Sequence, residues 1–257
     1  MPGIERVTAN DETNIKHCYA IVSGKGGVGK SFVTSLLASR ARAKGYSVGI
    51  LDGDIVGPSI PKLFNIHQAA YGNEKQHIVP ALTESGIKII SSNLMVEHED
   101  DPIIWRGSLV TSLLKQFYTE VAWGDVDYLF LDMPPGTSDV TLTAFQSIPI
   151  DGVIIVTSPQ ELVSLIVKKA IKMAKMMNIP IVGIVENMSY LECPKCKEKI
   201  DLYGKSKLEE YAKENELTPL CALPLRPEMS KLLDSEKVEE VALHFEEIDK
   251  VLEVLEK

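Results

Sequence analysis

The densest chemistry in the sequence lies in one run, Ser23-Gly-Lys-Gly-Gly-Val-Gly-Lys-Ser31. It satisfies the phosphate-binding pattern G-x-x-x-x-G-K-S/T, with Gly24, Gly29, Lys30 and Ser31 at the fixed positions. Gly24, Gly26, Gly27 and Gly29 let the backbone around Val28 turn so that successive N–H groups face phosphate oxygens. Lys30 is placed to reach the β- and γ-phosphates, and the Ser31 hydroxyl to ligate Mg²⁺. Carboxylates follow at two other points, in Asp52-Gly-Asp54 and at Asp132. Asp132 fits the acid that accepts hydrogen bonds from Mg²⁺-bound water, and Asp52 could do the same. Asp54 fits a residue that orients or deprotonates an attacking water. A third feature is Cys193-Pro-Lys-Cys196, two thiols at a spacing that lets both reach one metal. The neighbouring Lys195 and Lys197 are expected to favour the thiolate. That spacing also serves redox dithiols, half zinc sites and ordinary loops.

These residues must be held by a scaffold, and the hydropathy pattern describes one. Short apolar runs at Cys18–Val22, Val48–Leu51, Ile87–Ser91, Tyr128–Leu131, Val153–Val156, Ile181–Val185 and Leu220–Leu223 read as strands. Several are apolar nearly throughout, as strands covered on both faces are. Helical patterns lie between them at Ser31–Lys44, Leu109–Ala122, Glu161–Met177 and Lys205–Glu214. A last helix, Val238–Leu255, would place Val238, Val241, Phe245, Ile248, Leu252 and Leu255 on one face. The alternation predicts an α/β fold: a doubly wound, mostly parallel sheet of about seven strands with helices on both faces. Residues 1–16 are polar and expected to form a flexible tail, and 17–257 a single domain. The stretch His67–Pro80 is the expected flexible loop. The phosphate loop then falls between the first strand and first helix, and both acidic motifs fall at strand ends, where open α/β sheets bind ligands.

The chain has 257 residues, 27 basic and 36 acidic, for a net charge of −9. That balance argues against nucleic acid or an anionic membrane surface as a main partner. No stretch approaches the length of a membrane span, the first residues lack a signal-like apolar run, and the cytoplasm is the expected location. The four cysteines are too few and too unevenly spaced for a disulfide framework. Cys18 and Cys221, both inside strand patterns, are expected to be buried core thiols. That leaves Cys193 and Cys196, whereas a structural zinc or four-iron cluster takes about four ligands. Two-fold symmetry would supply the missing pair.

The Gly-Lys-Gly-Gly-Val-Gly-Lys-Ser run resembles the deviant phosphate loop of the MinD/ParA/nitrogenase-iron-protein superfamily. With Asp52-Gly-Asp-Ile-Val-Gly-Pro-Ser59, Trp105-Arg-Gly107, Asp132-Met-Pro-Pro-Gly-Thr-Ser-Asp139, Thr157-Ser-Pro-Gln160 and Glu186-Asn-Met188, it is similar to one branch. That branch is the Mrp/ApbC-type iron–sulfur carrier ATPases, and the likeness runs from about Lys16 to about Pro227. The resemblance implies a homodimer that binds ATP and Mg²⁺, hydrolyses ATP slowly, and bridges a labile 4Fe-4S cluster between Cys193 and Cys196 of both copies. The cluster would pass to apo iron–sulfur proteins. Lys25 would act across the dimer on the partner's nucleotide, and Asn187 would read the adenine edge. Phe32 departs from the family pattern, where Thr is common and its hydroxyl would meet the α-phosphate. Ile166 departs likewise, where many relatives are acidic, and the segment after Tyr203 is less Gly-rich. Trp105-Arg106-Gly107 has no assigned role. Two other readings stay open: a MinD/ParA-type positioning ATPase and a zinc-dimerised regulatory ATPase. A ligase-like enzyme that activates a small substrate with ATP is a third. Against the first, the segment 237–257 carries three Lys against seven Asp or Glu, unlike a lipid-binding basic helix.

Overall fold

A computed structural model describes residues 6–96, 107–160 and 165–257. Strand β1 (Thr13–Ser23) leads through the phosphate loop into α1 (Lys30–Ala43), followed by β2 (Val48–Asp52) and a short α2 (Ile60–Leu63). A small hairpin, β3 (Tyr71–Gly72) and β4 (Ile78–Val79), precedes β5 (Ala81–Leu82), β6 (Lys88–Ile90) and α3 (Ser108–Thr119). Next come β7 (Gly124–Asp132), α4 (Asp139–Ser147), β8 (Gly152–Thr157), α5 (Leu165–Met176) and the long β9 (Ile181–Glu192). The chain ends with β10 (Lys199–Ile200), α6 (Leu208–Glu214), β11 (Pro219–Leu225), α7 (Ser230–Asp234), α8 (Val238–Ala242) and α9 (Asp249–Leu255).

The main sheet has nine strands in the order β10-β9-β8-β1-β7-β2-β6-β5, with β11 also paired to β9. All seven expected strands are present and pair in parallel with one another. The two additional strands, β5 and β10, are antiparallel. Alternate residues of each strand feed two cores. Ala20, Leu129 and Leu131 pack with α3, α4, α5 and α6 residues such as Phe117, Phe145, Ile171 and Tyr211. Tyr19, Ile21 and Phe130 pack on the other side with Leu36, Leu37, Val241 and Leu252 of α1, α8 and α9. Apolar side chains on both faces explain why these strands read as unbroken hydrophobic runs.

Several expectations need correction. The described part of the N-terminal segment is tied down: the Val7 N–H donates to the Ser147 carbonyl at 2.8 Å. Asn10 Nδ2 donates to the Thr119 and Val121 carbonyls at 3.0 and 2.7 Å. Strand β1 starts five residues earlier than its apolar run, because Asn14–Asp125 and Lys16–Asp127 pairs extend the ladder along its polar end. The expected flexible loop at 67–80 contains the β3–β4 hairpin, whose turn is closed by Asn73 Oδ1 accepting from the Lys75 and His77 N–H groups. The last helix is broken in two. Arg226 Nη1 donates to the His244 carbonyl, and a 3-10 turn at Glu246–Ile248 separates α8 from α9. The predicted stripe is nevertheless buried at all six positions, from Val238 to Leu255.

Strand β9 is packed so closely to its neighbour that one position admits only glycine. A Cβ on Gly183 would lie 2.4 Å from the Thr218 carbonyl oxygen and 2.6 Å from Leu220 Cγ. Gly183→Ala should therefore force β9 and β11 apart and cost about 1–3 kcal/mol. The expected result is a lower urea midpoint with an unchanged slope; an unchanged midpoint would contradict the packing.

Candidate functional site

The phosphate loop closes over the C-terminal ends of three adjacent strands. The Gly53 N–H donates to the Asp132 carbonyl at 2.8 Å, Met133 N–H to Ile21 at 3.0 Å, and Gly136 N–H to Ser23 at 2.8 Å. These bonds lace the ends of β1, β2 and β7 together. Gly27 and Gly29 adopt φ of 83° and 79°, the left-handed region that glycine enters without strain. The loop therefore turns sharply enough for α1 to start at Lys30, its N-terminus directed at the space above the sheet.

Within this frame the predicted acids and the lysine converge. Lys30 Nζ lies 2.7 Å from Asp132 Oδ2, and both side chains are nearly fully buried, at 7% and 0% exposure. Ser31 Oγ donates to Asp132 Oδ2 at 2.6 Å and Thr34 Oγ1 to Asp132 Oδ1 at 2.7 Å. Thr34 is a residue sequence reasoning missed; its place one helical turn after Lys30, on the same face of α1, was the available signal. Asp52 pairs with Asp132 in the β2–β7 register and is also fully buried. Its carboxylate accepts from Ser91 Oγ at 3.0 Å, the Asp54 N–H at 3.2 Å and the Ile60 N–H at 3.3 Å. Burial, reinforced by the charge of Asp132, pushes the Asp52 carboxyl up to about 7, although Lys30 pulls the other way. Asp54 is half-buried, and its carboxyl is raised chiefly by burial.

Two adjoining cavities surround this constellation. One of about 400 Å³ is lined by Lys25, Lys30, Ser31, Asp54 and Pro135 among others. The other, about 250 Å³, is bounded by Asn187, Met188, Pro224, Arg226 and Phe245. Gly29, Phe32, Leu63 and Leu233 border both. Lys25 is exposed at the loop. Phe32 meets Phe245 edge-on with ring centroids 5.4 Å apart, so an aromatic wall stands directly after the phosphate loop. Asn187 is buried, and its Nδ2 donates to the Val28 carbonyl at 2.9 Å. The side chain thus engages the phosphate loop itself beside the smaller cavity.

Cys193 and Cys196 lie outside this pocket, in the turn joining β9 to β10. The Cys193 N–H donates to the Glu198 carbonyl at 3.0 Å, and the Lys197 N–H to the Cys193 carbonyl at 2.9 Å. Lys197 takes the positive φ of 61° that closes the turn. Backbone N–H groups of Cys196 and Lys195 point at the Cys193 sulfur and hold its thiol below the ordinary value. The expected source, lysine ammonium charge, is therefore replaced by amide hydrogen bonds. Lys197 Nζ is instead bound to Glu192 at 3.0 Å and Glu228 at 3.1 Å. Cys196 is exposed and Cys193 half-buried, whereas Cys18 and Cys221 are core residues. Burial raises the Cys18 thiol well above its usual range and the Cys221 thiol to about 12. Among the described residues, no group of three or more His, Cys, Asp or Glu could hold a metal ion. Trp105, Arg106 and the segment 161–164 fall outside the described residues, as does the side chain of Ile166.

A family model described as ParA, NUBPL iron-transfer P-loop NTPase, matches residues 14–256. The chain belongs to this family. An iron–sulfur cluster carrier protein of Clostridium perfringens is 47% identical over 234 residues, covering 88% of this chain and 82% of the relative. One from Methanocaldococcus jannaschii is 48% identical over 214 residues, covering 83% and 74%. Among solved structures, a nucleotide-binding protein from Archaeoglobus fulgidus in complex with ADP superposes with a TM-score of 0.79 at 40% identity, covering 88% of this chain and 89% of that one. The MinD protein of Pyrococcus horikoshii, complexed with Mg-ADP, shares the fold at a TM-score of 0.64 and 18% identity, covering 95% and 97%. The expected α/β P-loop NTPase fold is thereby established. Among the described residues no helix is long and apolar enough to cross a membrane.

The raised Asp52 carboxyl gives the protein a pH signature. Its folded value lies above the ordinary 3.8, so between those values the folded state binds more protons than the unfolded chain. Stability contributed by this group falls as pH rises across that window. Urea unfolding without nucleotide or Mg²⁺ should show a smaller decline between pH 5 and about 8 in Asp52→Asn than in the wild type. Parallel pH profiles for the two proteins would contradict the assignment.

Proposed function

We propose that this chain is an ATP-hydrolysing carrier that holds a labile 4Fe-4S cluster across a homodimer and delivers it to apo iron–sulfur proteins. One observation carries the reading. The β9 strand bears both Asn187, bonded to the phosphate loop, and, immediately beyond its end, the amide-supported Cys193–Cys196 turn. Cys193 follows Asn187 by six positions, a span of at most roughly 20 Å along the strand. A nucleotide site and a thiol pair thus share one rigid element.

The residues present fit Mg²⁺: Ser31 Oγ and Asp132 Oδ2 are hard oxygen donors already adjacent at 2.6 Å, with Asp52 behind them. When bound, the ion neutralises charge on the phosphates. Lys30 exchanges its contact with Asp132 for the β- and γ-phosphates, while Gly24 to Gly29 offer backbone N–H groups. The half-buried Asp54 orients the attacking water, and the apolar cavity beside Phe32 and Asn187 receives the nucleoside. Lys25, exposed at the loop, acts on the partner's nucleotide. Hydrolysis is accordingly slow until two copies close. The cluster is cargo: Cys193 and Cys196 of each copy supply two of its four thiolates. The burial of the 238–255 stripe supports this reading over a positioning ATPase, since that face is not offered to lipid.

Iron and acid-labile sulfide after anaerobic reconstitution test the assignment, with about four of each expected per dimer. A Cys193→Ala, Cys196→Ala double variant should lose both while binding nucleotide like the wild type. Retained iron in that variant would overturn the cargo site. Zinc in place of iron in the purified wild type would favour a zinc-dimerised regulatory ATPase.

A further inference from the structure

Arg226, at the end of β11, is absorbed by neither the phosphate site nor the cysteine turn, yet it touches the surroundings of both. Its guanidinium stands 4.8 Å over the Phe245 ring and borders the smaller cavity. Phe245 in turn meets Phe32, the residue following Ser31 of the phosphate loop. On its other side, Arg226 Nη2 contacts Glu192 Oε2 at 3.3 Å and Glu247 Oε1 at 2.7 Å. Glu192 is the last residue of β9, directly before Cys193, and its other oxygen accepts from Lys197, directly after Cys196. Lys197 continues the chain to Glu228, whose second carboxylate oxygen is buried without a partner among the described residues. One line of contacts therefore runs Phe32–Phe245–Arg226–Glu192–Lys197, from the nucleoside cavity to both ends of the cysteine turn.

We infer that Arg226 and Glu192 are positioning residues that transmit occupancy of the nucleoside cavity to the cysteine turn. The inference rests on reading that cavity as the nucleoside site and the turn as the cargo site. The bonds of Arg226 are unequal. Two to Glu247, at 2.7 and 3.5 Å, and one to the His244 carbonyl tie it to the segment between α8 and α9, whereas Glu192 accepts a single bond, at 3.3 Å. A nucleoside entering beside Phe245 must reseat the guanidinium that walls the cavity, and the weakest contact yields first. Glu192 is then held by Lys197 alone, and the cysteine turn loses its link to Arg226. A ligand shifts such an equilibrium only through different contacts in the two states. The contact between Arg226 and Glu192 is that difference. Ion pairs of this partly exposed kind are worth little individually, which suits a link that must break and reform.

The test uses the full-length, cluster-free, reduced protein at one fixed pH, with iodoacetamide as the probe and peptide mass spectrometry reading Cys193 and Cys196. Saturating ADP should accelerate their alkylation about five-fold or more, the lower end of ordinary coupling between sites. Glu192→Gln, which does not line the cavity, should react at the accelerated rate without ADP, show no further response, and bind ADP more tightly than the wild type, because the contact that ADP must break is already lost. Lys197→Met, at the far end of the line, should also lose the response; thermal melts and ADP binding verify that both variants are folded. No acceleration in the wild type, or an acceleration that survives in Glu192→Gln, overturns the inference. Failure of the cargo assignment is a separate result. It would show as absent iron and sulfide after reconstitution while the ADP effect on alkylation persists.

Discussion

A carboxylate with no exposure to water organises the functional end of this molecule. Asp132 is fully buried, and an isolated charge there would be strongly destabilising. Three side chains of one helix satisfy it: Lys30, Ser31 and Thr34. Its backbone is equally engaged, because its carbonyl accepts from Gly53. The first turn of α1 is thus fixed to the ends of β7 and β2, and the loop between β1 and α1 has little freedom left. Removing one partner of such a pair typically costs about 3–5 kcal/mol. The same arrangement suits a phosphate site, because Lys30 and Ser31 are held ready by a group with which an incoming anion and its cation would exchange contacts.

The parts of the fold that were legible in the sequence are those where one local signal suffices. Strands flanked by two cores announce themselves through continuous hydrophobicity, and the phosphate loop through fixed spacing. The rest depended on partners distant along the chain. The polar start of β1 is a strand because Asp125 and Asp127 stand opposite Asn14 and Lys16. Helix α4 went unpredicted because Val140, Thr141 and Thr143 are β-branched and weak helix formers. Its one local cue was Ser138, whose side chain accepts from the Thr141 N–H as an N-cap. The break between α8 and α9 is set by Arg226 taking the His244 carbonyl, a contact that periodicity does not encode.

The site divides along the same line. Lys30, Ser31 and the three aspartates follow from motifs read one at a time, and the structure gathers them at the strand ends. Thr34 is marked only by its helical spacing from Lys30 and Ser91 by nothing local, because their roles appear when a helix face and a neighbouring strand close on Asp132 and Asp52. The thiol pair was found by spacing, but its electrostatics were misread. A lysine next to a cysteine in sequence need not face it, and Lys197 turns to Glu192 and Glu228 instead. What lowers the Cys193 thiol is the shape of the turn, which aims two amide groups at one sulfur.

That turn also bears on why the proposed cargo site would need a second copy. Two thiolates leave a four-iron cluster half-ligated, so a site in one chain must either recruit further donors or meet its own image. Among the described residues, no third His, Cys, Asp or Glu joins the pair in a group that could hold a metal. The surroundings instead favour the second solution. Ile200, Leu202, Tyr203 and Leu225, all on or next to strands paired with the end of β9, are 40–51% exposed. Apolar side chains left open around an exposed Cys196 are costly in isolation and favourable in an interface. An isologous contact would place each turn beside its counterpart, since the axis brings equivalent residues together. In the proposed dimer, the hydrophobic rim would supply the association and the thiols the specificity, with both carried on the strand that touches the phosphate loop.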